Sequence, residues 1–115
     1  LPSDKLLAEW FWTDRWMGSS GFLLPLEARG LYREMLTQSW RRGASLPNNH
    51  EMIRRACGVT IEEWGRCWPM VESYWVESED GKTIHNETQA EVYQKTVALV
   101  EARSEAGRIG GVASA

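Results

Sequence analysis

A chain of 115 residues, 43% hydrophobic and 25% charged, is long enough for one hydrophobic core and too short for two. Seven tryptophans exclude a disordered polar chain, and apolar runs of only a few residues exclude a bilayer span or a secretory core segment. A net charge of -3 argues against a protein that simply coats nucleic acid. The chain opens on Leu1 and stops at Ala115 in a Gly/Ala/Ser-rich stretch, so a trimmed or ordered piece of something longer is expected.

Charge is unevenly spread. Residues 27–66 carry seven basic against five acidic side chains, whereas 67–105 carry three against eight. Cys57 and Cys67 lack C-x-x-C spacing and are too few for a disulfide framework, which predicts reduced, buried thiols. With His50 and His85 they follow no known ligand spacing, so no metal and no cofactor is expected.

In chain order, the aromatic run Trp10-Phe11-Trp12-Thr13-Asp14-Arg15-Trp16 predicts a segment that wraps the core, or a platform on which bases stack beside Arg15. Gly18 to Gly21 reads as a turn. Leu24 to Trp40 is the strongest helix, with Pro25 in its first turn and Arg41-Arg42 at its end. Leu31, Met35, Leu36 and Trp40 give it a core face. Gly30 inside it predicts close approach of another backbone.

Two capped helices follow across a short turn. Asn48 with Glu51, and Thr60 with Glu63, each show the reciprocal capping spacing, and Gly58 between them suits a left-handed helix end. Met52, Ile53 and Ala56 form the predicted buried side of the first; Ile61, Trp64, Trp68, Val71 and Trp75 that of the second, which Pro69 should bend or restart. This spacing is that of a helix-turn-helix or of an ordinary helical hairpin. A β-hairpin with Asp80-Gly81 in its turn comes next, leaving His85 half exposed on a strand.

The last predicted helix runs from Glu87 to about Arg103, with Val92, Thr96 and Leu99 on one stripe and Tyr93, Val97 and Val100 beside it. Residues 104–115 read as a flexible tail in which Gly107-Arg108-Ile109-Gly110 matches, weakly, a phosphate-approaching G-x-x-G. The fold class is thus mainly α with a small β-hairpin: one winged-helix-like domain over residues 1–103. No nucleophile with its base, convergent carboxylate pair or metal triad stands out, so no catalytic residue is assigned.

Leu24-Pro25-Leu26-Glu27-Ala28-Arg29-Gly30-Leu31-Tyr32-Arg33-Glu34-Met35-Leu36, continued through Trp40, Gly43, Leu46-Pro47-Asn48, Gly58-Val59, Glu63-Trp64 and Trp68-Pro69, resembles the YdaU-like family (domain of unknown function 1376). That family is common in phages and prophages and often encoded among replication genes. The resemblance implies a winged-helix-like domain in the bacterial host cytoplasm, with a role in phage DNA replication and no catalytic residues. Where family tails often carry basic residues, Ile109 and Val112 stand here, and Glu77, Glu79 and Asp80 surround Lys82 at the hairpin tip.

Two functions are consistent with these residues. In the first, a DNA-binding or replication-initiation accessory domain, Arg41, Arg42, Arg54, Arg55 and Arg66 neutralise phosphates, with Lys82, Arg103 and Arg108 at the edges and Thr60 facing bases. Alternatively the arginines are solvated faces or partners of Glu51 and Glu34. In the second, a protein-interaction module docks on a replication or host protein, as an inhibitor in one form of this reading. Glu77, Glu79 and Asp80 and the helix side of Tyr93, Val97 and Val100 would serve that docking, and the C-terminal helix could alternatively form a homodimer.

Overall fold

The computed structural model describes residues 8–9 and 13–114, with the backbone alone at Asp14 and over 108–114. The chain is mainly helical with a small three-stranded antiparallel sheet. Helix α1 (Thr13–Met17) and a 3-10 turn (Ser20–Leu23) lead into α2 (Leu26–Arg41). Strand β1 (Leu46–Pro47), α3 (His50–Cys57), α4 (Ile61–Val71), a 3-10 turn (Glu72–Tyr74), β2 (Val76–Glu77), β3 (Thr83–His85) and α5 (Glu87–Ser114) follow. The aromatic run at Trp10-Phe11-Trp12 lies outside the described residues.

Helix α2 is the spine. Its i, i+3, i+4 spacing buries Ala28, Leu31, Tyr32, Met35, Leu36, Ser39 and Trp40, and α3 and α4 pack against that side through Ile53, Cys67 and Val71. Tyr32 is the aromatic centre. It stacks on Tyr74 at 4.7 Å, meets Trp75 edge-on at 6.4 Å and takes Trp16 at 5.5 Å. Gly21 is required beside it, since a Cβ there would come within 2.6 Å of the Tyr32 ring. Gly30 is different. A Cβ at Gly30 would meet nothing within 4 Å among the described residues, so none of them makes the close approach expected from the sequence. A helix-interior glycine costs about 1 kcal/mol relative to alanine, and no internal packing offsets it.

Thr60 and Glu63 form the predicted capping box: the Glu63 amide donates to Thr60 Oγ1 at 3.1 Å and the Thr60 amide to Glu63 Oε1 at 2.8 Å. Gly58 closes α3 in the left-handed conformation, φ 71°. The cap of α3 is corrected by one residue. Asn49, not Asn48, accepts from the Met52 amide, because β1 pairs with β3 and holds Asn48 at the strand end. Asn48 there donates its backbone amide to the Lys82 carbonyl and its Nδ2 to that of Gly81. Glu51 is left free for arginines.

Helix α4 runs through Pro69 to Val71 rather than restarting, because the carbonyl denied an amide belongs to exposed Gly65, where water can serve it. Two of the predicted core positions are also corrected: Met52 is exposed, and Ile61 is 69% exposed. Ile61 lies about 120° around the helix from Cys67, whose side faces α2.

The hairpin forms as predicted, with β1 added as a third strand that the sequence did not signal. Order is β1-β3-β2, with Leu46 opposite Ile84 and Val76 opposite His85. Asn86 then starts α5. Its Oδ1 accepts from the Gln89 amide, while Nδ2 donates to Tyr32 OH and to the Tyr74 carbonyl, both at 3.0 Å. Gln89 Nε2 donates to the Leu36 carbonyl and Trp40 meets Tyr93 edge-on at 5.0 Å, which ties the first turns of α5 to α2. Where a helix end near Arg103 and a loose tail were expected, α5 continues to Ser114. Glu101 to Ala106 contains no proline, and Gly107 does not take the left-handed φ that would stop the helix.

Candidate interaction surface

The basic side chains singled out in the sequence do not share one state. Arg54 is only 16% exposed; its Nε and Nη2 hold Glu51 and its Nη1 donates to the Val59 carbonyl at 2.7 Å. It braces the turn between α3 and α4. Arg55 shares Glu51 at 2.9 Å, and Arg66 reaches across to Glu27 on α2. Thr60 Oγ1 is occupied by its cap. All four thus have partners within the fold, and for Arg54 and Arg55 the partner is Glu51, one of the alternatives the sequence left open, while Arg55 and Arg66 keep most of their side chains exposed. Arg41, Arg42, Lys82 and Arg103 are exposed and meet no carboxylate among the described residues. The side chain of Arg108 lies outside the described residues.

Paired arginines hold Glu51 down to about 2 from its ordinary 4.5, with the Arg54 hydrogen bonds as the main cause. A depressed carboxylate stabilises the fold above its unfolded value and loses that contribution as pH falls through the folded one. Stability is therefore expected to decline between pH 4.5 and about 2, and Glu51→Gln should flatten part of that slope in urea titrations at stepped pH.

Of the acidic hairpin, Glu77 and Glu79 are exposed. Asp80 is a turn residue: its Oδ1 accepts from the Lys82 amide and from Ser78 Oγ, and these bonds lower its pKa. Tyr93, expected at an interface, is instead 4% exposed against Trp40, and Val97 packs on the same cluster. Two stripes on one helix had to be divided between domain and solvent, and Trp40 selects the Tyr93 side. Val100 is half-buried, and residues 101–107 beyond it are exposed.

Helix α4 supplies a surface that is more apolar than the sequence suggested. Ile61, Glu62, Gly65, Arg66, Pro69 and Met70 face solvent. On one flank Trp64 and Trp68 lie parallel, 5.1 Å apart and within 6°, with the His50 ring 4.7 Å from Trp68. Both indoles are half-buried, so each presents part of its surface outward. The i, i+4 tryptophans were legible as a pair; their partial exposure depended on where α2 lies.

Cys57 and Cys67 are free thiols, and burial pushes Cys57 up to about 11 with Glu34 adding to it, so neither is a ready nucleophile. Among the described residues no three His, Cys, Asp or Glu side chains converge to hold a metal ion, and no helix is long and apolar enough to cross a membrane.

Fold and surface together define a small, mainly helical domain whose exposed α4 is apolar and acidic, with its one arginine paired. Residues 6–93 match the family described as "Protein of unknown function (DUF1376)", and the chain belongs to that family. No curated protein and no solved structure matches it.

Proposed function

We propose that this is a non-catalytic winged-helix domain of the phage-replication type, which docks on a protein of a nucleic-acid machine in the bacterial cytoplasm through the outward side of α4. The order helix-strand-helix-helix-strand-strand from α2 to β3, with sheet order β1-β3-β2, supports the winged-helix reading. In that arrangement α4 holds the position of a recognition helix. One observation carries the choice of protein over DNA: that helix offers Ile61, Glu62, Gly65, Pro69 and Met70 outward, and its only cation, Arg66, is bound to Glu27. Phosphates would be repelled by Glu62 and Glu63, whereas exposed Ile61 and Met70 beside two indoles suit an apolar partner surface.

A photo-crosslinking residue at Ile61 or Met70 is expected to give protein adducts in the bacterial host, absent when it is placed at Glu105 and lost with Trp68→Asp. Equal labelling from all three positions would refute the docking face.

DNA-backbone binding is the second reading, favoured by Arg41, Arg42, Lys82 and Arg103, which meet no carboxylate among the described residues. Four such contacts would give a log–log salt slope of at most about -3.6, reduced by Arg41→Ala with Arg42→Ala and untouched by Arg54→Ala. Salt-dependent binding of labelled duplex with that pattern would displace the protein reading.

A further inference from the structure

Resting on the docking function above, we infer that the groove between α2 and α4 receives a segment of the partner protein in which a lysine or arginine is flanked by apolar residues. Gly30 opens into this groove, which measures about 300 Å³ and runs along the α2–α4 seam. Its floor is apolar, formed by Leu31, Val59 and Cys67. Leu26, 76% exposed, stands at its mouth.

Two independent features define the occupant. The first is steric. A glycine in the interior of α2 weakens the helix, and among the described residues nothing beyond its own helix neighbours lies within 4 Å of where its Cβ would stand. The empty position admits another chain close to the α2 backbone. The second is charge. Glu27, Glu34 and Glu63 line the groove. Glu27 is matched by Arg66 and Glu63 by the Thr60 amide, while Glu34 has no hydrogen bond or ion pair among the described residues. A cation brought to Glu34 over an apolar floor satisfies both features; an acidic or neutral segment leaves the carboxylate unmatched.

The probe is a pair of synthetic twelve-residue helical peptides of leucine and alanine, one with a central lysine and the other with glutamate in its place. Each is titrated into the isotopically labelled protein and followed by amide chemical shifts. The lysine peptide is expected to shift Gly30, Glu34, Val59 and Glu63 and to bind about tenfold more tightly than the glutamate peptide. Glu34→Gln should remove most of that difference. Gly30→Leu should abolish the shifts, and Gly30→Ala should raise the melting temperature by about 2–5 °C, so that lost binding is not lost folding.

Equal binding of the two peptides, shifts confined to other elements, or unchanged binding by Gly30→Leu would overturn the inference. A dimer in sedimentation velocity that Gly30→Leu dissolves would assign the groove to a second copy and overturn it too. Crosslinks from Ile61 that persist when the groove tests fail leave the docking function standing; their absence removes both.

Discussion

Replacing Asn86 with alanine is expected to lower the free energy of unfolding by about 2–4 kcal/mol, a large part of what a domain of this size has to spare. The single side chain holds three elements. Its Oδ1 accepts from the Gln89 amide, the role of an N-cap at the start of α5, and losing a cap costs about 1 kcal/mol. Its Nδ2 donates to Tyr32 OH and to the Tyr74 carbonyl, so alanine leaves a buried phenol without its partner at the centre of the aromatic cluster. Burial already raises the Tyr32 pKa, so the hydroxyl does not escape the loss by ionising near neutral pH. Asn86→Asp separates the two roles: it keeps the cap acceptor and loses the donor, and should fall between alanine and wild type in urea denaturation. An alanine variant as stable as wild type would mean that water replaces all three bonds.

Trp40→Ala is expected to cost about 3–5 kcal/mol, the range for emptying a large aromatic site. Trp40 is 2% exposed, and its main partner on α5 is Tyr93. Its indole nitrogen has no hydrogen-bond partner among the described residues, so packing alone supplies its contribution. The loss should be local as well as global. Amides of residues 88–97 should exchange faster in native-state hydrogen exchange, while α3 and the hairpin keep their protection until global unfolding. Leu99→Asp gives the contrast. Leu99 is half exposed on the part of α5 that leaves the domain, and its change should stay within about 0.5 kcal/mol. A larger cost for Leu99→Asp, accompanied by a fall in solution mass, would indicate that α5 is covered by a second copy.

The features that the sequence made legible are those whose partners lie within a turn or two. Thr60 and Glu63 cap each other across three residues, Gly58 ends α3 by its own backbone, and Asp80-Gly81 closes the hairpin. Helix α2 showed its core side because period 3.6 is written into Leu31, Met35, Leu36 and Trp40. The acidic and apolar groups of the candidate surface were equally visible as residue types. Their availability was not. Glu27 and Arg66 are 39 positions apart, and nothing local announces that they meet. The same holds for Leu46 opposite Ile84, a pairing that also moved the α3 cap from Asn48 to Asn49.

By itself the sequence determined the family motif, most of the helices, the hairpin turn and the uneven charge, because capping bonds, turn conformations and amphipathic period act between near neighbours. Tertiary structure decided which arginines remain free, that Tyr93 is core while Ile61 faces water, and that Gly30 opens into a groove instead of touching another segment. Those outcomes depend on which helix faces meet, and burial and ion pairing between distant residues exist only once α2 has gathered α4 and α5 around it.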